Sequence, residues 1–480
     1  MQTIEVLKGM RDVERERIKE YYRTPPVRER ILEFLGDGGS REPTCMYIAH
    51  YGNTSKYLPT AEPVSELDKI LGYNDGLFRS LWDQHSLIAD VDVEYVNFDF
   101  PAEAYLDPYR TFSLQQNVRQ AFVDTLGEYG IEPLQLLTGR GYHYVWSIPK
   151  GSASFNALVD IGRIGGDLHD YYRSHKYFGN ARVDDTLGCA YTGLGMVIEY
   201  FAHRIMRKAG GKGPLSVQLT AVVVGPAERG REIVSLDISE YADPLNTRIL
   251  QTPFTPYLKP LLKGGILHDG IRNEIPLMTP VPLNGLDVYK GLDTMRSLSQ
   301  SASYACTTHT IIPEMGSPMA ALIAAYRGSP LAGFHKDFYS EEHEPVERWS
   351  NTYDHLDMNL LPVCISTILT NPNDLLLTPA GMQQVVRGLY AFGWHPRHIA
   401  GLIRSKFERN FGWGNEWYAY NASSRADVYT RMFAGLITVG LDELIDFNCI
   451  STKEKGYCFK KEGYCDLSGL RQAALERSHR

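Results

Sequence analysis

The stretch SLIADVDVEYVNFDF, residues 86–100, alternates acidic with apolar side chains, and this alternation limits what the chain around it can fold into. On a β-strand successive side chains point to opposite faces, so Asp90, Asp92 and Glu94 would share one face and the intervening valines the other. Like charges this close together repel each other unless a cation or a basic group offsets them. The stretch therefore predicts either a cation-binding strand or an edge strand with an acidic solvent face.

Composition and charge limit the class of protein. The chain has 480 residues, 43% hydrophobic and 22% charged, which is typical of a soluble globular protein with two or three domains. A net charge of -8 gives no general attraction to nucleic acid, although a local basic cleft is compatible with it. The charged N-terminus has no apolar signal region and no apolar run is long enough to span a membrane, so we expect a cytoplasmic protein without a membrane partner.

The order of predicted elements indicates an α+β protein. Residues 1–80 are predicted to be a helical segment, because TPPVRERILEFLGDGG combines a capping Thr24, prolines in the first turn and a glycine stop. Residues 81–285 mix helices with strands: the acidic strand, a strand–turn–strand unit in LQLLTGRGYHYVWSIP, and a β-hairpin in VQLTAVVVGPAERGREIVSLDI. Residues 286–345 are predicted to be a helical linker, and residues 346–480 a helical domain that carries cysteines.

The two aspartates of the acidic strand have the spacing expected of a metal-binding site. Carboxylates two residues apart on one strand face offer the oxygen ligands that Mg²⁺ and Mn²⁺ prefer. A third carboxylate from another strand would complete a two-metal site for in-line nucleotidyl transfer, and Asp237 in IVSLDI is the candidate. Asp99 is a weaker rival for this site, because its neighbour on the same face, Asn97, is not an anion.

Two further segments carry residues that suit a phosphate. Thr138, Arg140 and His143 surround a turn bracketed by glycines, where backbone N–H groups could cradle phosphate and the two side chains could contact a triphosphate. Arg248 and Lys259 lie on a loop punctuated by prolines. Each segment alone could equally be an ordinary hairpin turn or a solvated basic loop.

Taken in order, these segments resemble the motifs of the archaeo-eukaryotic primase superfamily, the group of primase small subunits and primase-polymerases. The motif hDhD matches residues 88–92, and SGxGxH matches residues 138–143 with Thr in place of Ser. The third motif, hD followed by a basic stretch, matches Asp237 and then Arg248, Pro253, Thr255 and Lys259. Gln251 stands where the family often has a second arginine, and the zinc knuckle of many small subunits is not evident.

The resemblance implies a fold and a set of site residues. The fold would be an α+β, mixed-sheet catalytic core of the RRM-like kind. Asp90, Asp92 and Asp237 would be the catalytic residues and would hold Mg²⁺ or Mn²⁺. The residues implied to bind the nucleotide are Thr138, Arg140, His143, Arg248 and Lys259.

Four cysteines mark the last quarter of the chain: Cys364, Cys449, Cys458 and Cys465. Four thiolates suit a structural zinc ion or an iron–sulfur cluster, whereas scattered free cysteines are the simpler explanation. The segment resembles the C-terminal iron–sulfur domain of the primase large subunit through LPVC at residues 361–364, residues 392–400 and the helix around residues 426–429. That resemblance implies that the four cysteines ligate a [4Fe–4S] cluster, with zinc as the alternative.

Between these cysteines lies NFGWGNEWYAYNASSR, a stretch rich in aromatic residues. Aromatic faces interleaved with cations suit stacking on template bases and holding the 5′ end of a primer. The aromatic core of a small helical domain would give the same pattern. The residues concerned are Trp413, Trp417, Tyr418 and Tyr420, with Arg404, Lys406, Arg409 and Arg425.

The two resemblances together imply a fused primase-polymerase. It would make primers on single-stranded DNA from NTPs or dNTPs by two-metal nucleotidyl transfer, with the iron–sulfur domain aiding initiation. No P-loop motif is present, so a separate replicative helicase is expected. Two alternatives remain: a gap-filling or CRISPR-associated repair polymerase, and a catalytically vestigial nucleic-acid-binding replication or defence factor. The intact Asp90, Asp92, His143 and Asp237 argue against the vestigial factor.

Overall fold

The computed structural model describes residues 12–36, 42–51, 59–220, 232–261, 269–272, 274–373, 376, 378–413, 421–459 and 465–478. These residues form helices together with antiparallel and parallel strand pairs, which confirms the predicted α+β class. They fall into two compact units. The first comprises Met1–Arg163, Tyr172–Leu194 and Leu245–Ala321, and the second comprises Ile164–Tyr171, Gly195–Pro244 and Leu322–Arg480. The predicted boundaries after residues 80, 285 and 345 divide the chain by sequence segment and stay a prediction.

The strands of the described residues are β1 (Ile48–His50), β2 (Thr60–Glu62), β3 (Leu77–Ser80), β4 (Ser86–Asn97), β5 (Leu134–Leu137), β6 (Gly141–Pro149), β7 (Ser216–Leu219), β8 (Glu232–Asp237), β9 (Ile249–Gln251) and β10 (Val281–Pro282). The α-helices are α1 (Asp12–Arg23), α2 (Pro25–Leu35), α3 (Leu67–Gly72), α4 (Glu103–Leu106), α5 (Pro108–Leu114), α6 (Gln116–Glu128), α7 (Ala153–Ile161), α8 (Gly166–Ser174), α9 (Asp185–Ala209), α10 (Asp269–Arg272), α11 (Val288–Met295), α12 (Leu298–Ala305), α13 (Gly316–Arg327), α14 (Pro330–Phe338), α15 (Val363–Thr370), α16 (Pro379–Ala391), α17 (Pro396–Phe407), α18 (Ala422–Thr438), α19 (Cys449–Glu454) and α20 (Leu467–Ser478).

The first unit contains two sets of antiparallel strands. One set has the order β2-β1-β3-β9, and the other has the order β10-β5-β6-β4. Strands β5 and β6 are joined by the glycine turn, as predicted for LQLLTGRGYHYVWSIP. The long β4 pairs with β6 along residues 86–94. This pairing fixes which side chains share a face and therefore positions the site.

One face of the β4–β6 pair belongs to the core of the first unit. Tyr142 and Tyr144 of β6 are fully buried, and in the register they lie opposite Val93 and Val91. The ring of Phe122 from α6 stacks on Tyr144 with the centroids 3.9 Å apart. Because this face is apolar and covered by helices, the alternating residues of β4 must point to the other face. The predicted alternation of the acidic strand is confirmed.

The N-terminal part of the chain is less helical than predicted. Helices α1, α2 and α3 are present, but β1, β2 and β3 also lie between residues 42 and 80, so a purely helical segment 1–80 was wrong. The run CMYIAHY holds buried apolar and aromatic residues at consecutive positions, which suits a short strand with neighbours on both sides. Its pairing with β2 and β3 decides its conformation, and that pairing cannot be seen in a local pattern.

The second unit pairs two strands and packs several helices. Strands β7 and β8 are parallel, with Ser216 opposite Ile233 and Leu219 opposite Leu236, so the predicted β-hairpin was wrong. A hairpin joins antiparallel strands through a short turn, whereas parallel strands need a connection long enough to return the chain to the starting edge. Residues 221–231, which follow β7 and precede β8 in the sequence, lie outside the described residues. Helix α18 packs against α14, α16 and α17.

The helical predictions for the rest of the chain are confirmed. Residues 153–209 form α7, α8 and α9, and helices predominate after residue 285. Helix α17 begins at Pro396, and the side chain of His395 caps it by accepting a hydrogen bond from the N–H of Arg397. Within the described part of the chain, no helix combines the length and the apolar character needed to cross a bilayer.

Candidate active site

The candidate site of the first unit lies on the polar face of the β4–β6 pair. The register places Asp90 opposite Val145, Asp92 opposite His143 and Glu94 opposite Gly141. Asp90 is buried, with 3% of its surface exposed. Three carboxylates are therefore aligned along one strand, and the opposite strand and its turn supply basic partners.

His143 lies between the two aspartates. Its Nδ1 is 3.1 Å from Oδ2 and 3.2 Å from Oδ1 of Asp90, and its Nε2 is 3.9 Å from Oδ1 of Asp92. Burial by itself lowers the pKa of His143, but the charges of Asp92 and Asp90 and the hydrogen bond to Asp90 outweigh it and raise the pKa to about 10. The imidazolium therefore supplies one of the offsetting cations that the crowded acids require.

Glu94 is paired with the arginine of the glycine turn. Nη2 of Arg140 donates to Oε1 of Glu94 at 2.5 Å and to Oε2 at 2.6 Å. Burial raises the pKa of Glu94, but the charges of Arg140 and then of Lys259 overcome this effect and hold the pKa below its ordinary value. The charge of Lys259 therefore acts on Glu94, and the role of Lys259 in binding a nucleotide stays a prediction. The structure brings Arg140 and His143 together along one acidic face.

Both glycines of the turn are required by close packing. A Cβ at Gly139 would lie 2.9 Å from the rings of Tyr105 and Tyr257, and a Cβ at Gly141 would lie 1.7 Å from the carbonyl oxygen of Val93. The N–H of Thr138 already donates to the carbonyl of Gly141 at 2.9 Å. The glycines thus let the turn approach β4 closely, and the Thr138 N–H is committed to the turn itself.

The third motif is divided between two places. Arg248 precedes β9, in the other strand set of the first unit, and its carbonyl accepts a hydrogen bond from the N–H of Leu81. Thr255 is fully buried, where its hydroxyl donates to the carbonyl of Thr252 and accepts from the side chain of Gln251, both at 2.7 Å. Thr255 and Gln251 therefore stabilise the loop. Of the two predicted nucleotide ligands in this motif, Arg248 lies next to β9, and the charge of Lys259 acts on Glu94.

Asp237 belongs to the second unit. It is the last residue of β8, and its Oδ1 accepts a hydrogen bond from the N–H of Ser239 at 2.9 Å. Its predicted convergence with Asp90 and Asp92 on a pair of metal ions stays a prediction.

The four cysteines of the second unit differ in burial. Cys364 is 3% exposed at the start of α15, Cys449 and Cys458 are exposed, and Cys465 is half-buried. Burial, with additions from the charges of Cys465 and Cys449, raises the pKa of Cys364 to about 12. Three of the four thiols are thus close enough to influence one another. No group of three His, Cys, Asp or Glu side chains in the described residues has the geometry of a metal site, so the [4Fe–4S] cluster stays a prediction.

The other three cysteines include Cys189, which is half-buried and for which the sequence shows no zinc knuckle. Cys45 is buried, which raises its pKa to about 11, and Cys306 is exposed. They show no grouping that would suggest a second cysteine site among the described residues.

The aromatic and basic residues predicted to contact a template are mostly engaged in the second unit. Trp413 is 7% exposed, and its indole N–H donates to the carbonyl of Arg409 at 2.9 Å. Arg409 binds Asp354 through two hydrogen bonds of 2.7 and 2.8 Å, and Lys406 lies 3.5 Å from the same carboxylate. In the described residues this cluster stabilises the helical core, as the second interpretation of the sequence holds.

The remaining members of that cluster show the same behaviour. Arg404 pairs with Asp167 at 2.6 Å and with Glu408 at 2.7 Å, and Arg425 pairs with Asp243 at 2.8 Å. Trp417, Tyr418 and Tyr420 lie outside the described residues.

The sequence did not predict two tyrosines of the first-unit site, Tyr105 and Tyr257, or the pairing of Glu94 with Arg140. Glu94 was visible on the acidic face, but its partner Arg140 depends on the strand register. Tyr105 and Tyr257 line the glycine turn, with ring centroids 6.4 Å apart, and burial raises the pKa of both phenols. No spacing in the sequence connects these two tyrosines, because α4 and the loop before Lys259 meet only in the folded unit.

The sequence matches no protein-family model and no curated protein, and the structure matches no solved structure. The chemistry of the arranged side chains is therefore the basis on which a function can be inferred. An acidic pair beside an arginine on one strand face suits a metal–triphosphate ligand, in which metal ions and phosphates carry opposite charges.

Proposed function

We propose that this protein is a primase-polymerase, which makes primers on single-stranded DNA by template-directed nucleotidyl transfer. The observation that carries the proposal is the row of charges on the β4–β6 face. Asp90 and Asp92 occupy one end of it, and Glu94 with Arg140 occupies the other. The charge of Lys259 also acts on Glu94. A nucleoside triphosphate bound with divalent metal has the complementary order of charges. An RRM-like fold of the catalytic core is part of this proposal.

The residues present are of the types that bind a divalent metal ion. Asp90 and Asp92 offer carboxylate oxygens on one strand face, and His143 lies between them, with Nδ1 3.1 Å from Oδ2 of Asp90 and Nε2 3.9 Å from Oδ1 of Asp92. Asp90, Asp92 and Asp237 would hold the metal ions. When bound, Mg²⁺ or Mn²⁺ lowers the pKa of the attacking 3′-hydroxyl and neutralises the leaving pyrophosphate.

The remaining side chains would bind and orient the nucleotide. Arg140 and Lys259 supply positive charge to its phosphates, and His143 supplies a donor beside the metal ligands. Thr138 and Arg248 complete the set that the family resemblance implies. In-line transfer places the 3′-hydroxyl and the α-phosphate in contact, so the chain needs no nucleophilic side chain of its own.

The second unit would aid initiation. Cys364, Cys449, Cys458 and Cys465 are of the right donor type for a [4Fe–4S] cluster or for zinc. A fused domain that held the first nucleotide would raise its effective concentration at the catalytic site. Unwinding would come from a separate replicative helicase.

The test is primer synthesis on circular single-stranded DNA with NTPs or dNTPs and Mg²⁺ or Mn²⁺. The proposal expects products from the wild type and none from D90A/D92A. Asp99→Ala is the matched control, because Asp99 lies past the end of the same strand and is exposed. Extension only from a supplied primer would favour the gap-filling or CRISPR-associated repair polymerase. DNA binding without products from any variant would favour the vestigial factor and would overturn the proposal.

A further inference from the structure

Glu94 is the one acid of the β4 face to which two-metal chemistry assigns no role. It follows Asp92 at the next position on the same face, where a third carboxylate adds repulsion to an already crowded strand. Its side chain is 14% exposed, so water screens this charge only in part. A buried charge of this kind needs a specific partner, and the partner indicates what Glu94 does.

The partner, Arg140, is fixed at both its backbone and its side chain. Its carbonyl accepts hydrogen bonds from the N–H of Tyr95 at 3.0 Å and from Nε2 of Gln115 at 3.1 Å. Its Nη2 donates to both oxygens of Glu94. Residues 94 and 95 of one strand thus hold both ends of Arg140, which leaves the guanidinium little freedom to rotate.

The guanidinium still has donor capacity that the described residues do not use. Glu94 engages Nη2, whereas Nε of Arg140 is buried without a hydrogen-bond partner in the part of the chain that the structure describes. The guanidinium beside Glu94 therefore has an unused donor held in a fixed orientation. An anion with several oxygens is the ligand that such an arrangement suits.

We propose that Glu94 is a positioning residue, which holds Arg140 in the orientation that binds the triphosphate of a nucleotide. This inference rests on the proposed function and names the part of the nucleotide that the site recognises. Glu94 itself does not contact the phosphates, because two like charges would repel. Its contribution is to keep the arginine ordered before the ligand arrives, which reduces the entropy lost on binding.

The variant that tests this is Glu94→Gln, which keeps the size of the side chain and removes its charge. Because a charge-assisted hydrogen bond is about twice as strong as a neutral one, E94Q is expected to raise KM for the nucleotide about tenfold. The kcat is expected to stay within about twofold, because the metal ligands are unchanged. Affinity for inorganic tripolyphosphate, measured by titration calorimetry, should fall by about the same tenfold.

A double-mutant cycle distinguishes positioning from a general effect. If Glu94 acts through Arg140, E94Q should change neither KM nor tripolyphosphate affinity in a R140Q background. Glu103→Gln is the matched control, because Glu103 also pairs with an arginine, Arg110, at 2.6 Å in the same unit. E103Q should leave both measurements unchanged.

Each outcome decides for or against the inference. A tighter tripolyphosphate complex in E94Q would show that Glu94 competes with the phosphates for Arg140, and it would overturn positioning. An unchanged KM and affinity in E94Q, with an active wild type, would overturn positioning and leave the primase proposal standing. A wild type that neither makes primers nor binds tripolyphosphate would overturn both. Circular dichroism of E94Q checks that the variant is folded.

Discussion

Gly141, which has no side chain, allows β6 to approach β4 as closely as the site requires. Because a Cβ there would lie 1.7 Å from the carbonyl oxygen of Val93, Gly141→Ala must push β6 away from β4. We expect the free energy of unfolding to fall by about 3 kcal/mol or more, since backbone atoms cannot move aside as a side chain can. Urea denaturation of the purified variant measures this loss.

The control is an alanine placed where space is available. Gly127 lies in α6, and a Cβ there would meet nothing within 4 Å. Gly127→Ala is therefore expected to stabilise the protein by roughly 0.5–1 kcal/mol through helix propensity. Equal effects of the two substitutions would contradict the packing argument.

At the residue scale, the sequence predicts which face of a strand a side chain occupies better than it predicts which residue that side chain pairs with. The two-residue period of a strand is enough to place Asp90, Asp92 and Glu94 on one face, and the structure agrees. The pairing of Glu94 with Arg140 depends on the β4–β6 register, which a single alternating segment leaves open. The tyrosines beside Gly139 were not predictable, because they come from segments far apart in the sequence.

At the scale of elements, α9 contains a buried histidine without hydrogen bonds. His203 is 1% exposed, and neither ring nitrogen has a hydrogen-bond partner in the described residues. Burial lowers its pKa to about 4. The charge of Glu199 opposes this shift, and the charges of His335 and Arg207 add to it. The helix therefore folds with a neutral His203, although the unfolded chain takes up a proton near pH 6.5.

This difference makes the stability of the second unit depend on pH. The contribution of His203 is fully present above about pH 6.5 and is lost as the pH falls toward 4, because the unfolded state then binds the extra proton. Between pH 7.5 and 5 we expect a loss of about 2 kcal/mol in the free energy of unfolding. Urea denaturation at both values measures the loss. In His203→Leu the loss should shrink by that amount, and an unchanged dependence would contradict it.

Elements formed by contacts distant in sequence were the ones that sequence patterns described wrongly. A hairpin was predicted across residues 217–238 because two apolar runs flank a glycine-containing connection, yet β7 and β8 run parallel. Local residues encode the strands but not their relative direction. The short β1 was hidden for the same reason, since its stability comes from pairing with β2 and β3. Helices with capping signals, such as α17 after His395, were predictable because their signals are local.

At the scale of the whole molecule, the chain passes between its units. Residues 172–194 and 245–321 belong to the first unit although segments of the second unit lie between them in sequence. A prediction that assigns each domain one continuous segment of sequence cannot include a chain that re-enters its first unit. The proposed site depends on this re-entry, because Lys259, whose charge acts on Glu94, belongs to the later segment.

The cysteines give a prediction at this scale. If Cys364 and its neighbours hold a cluster, Cys364→Ser should lower the iron content of anaerobically purified protein and its visible charge-transfer absorption. Cys306→Ser is the control, because Cys306 is exposed and lies in the first unit. Tripolyphosphate affinity should be equal in the two variants. Wild-type protein with neither iron nor zinc would contradict the cluster and its alternative together.

Metal binding should stabilise the folded protein through the acidic pair. A ligand that binds only the native state adds about 2.7 kcal/mol at one hundred times its Kd, so Mn²⁺ should raise the midpoint of thermal unfolding by several degrees. The rise should disappear in D90A/D92A and persist in Asp99→Ala. Asp237→Ala tests the third acid, and a rise as large as in the wild type would remove Asp237 from the metal ligands. A rise that survives in D90A/D92A would show that Mn²⁺ binds elsewhere. Asp90 and Asp92 would then not be the metal ligands.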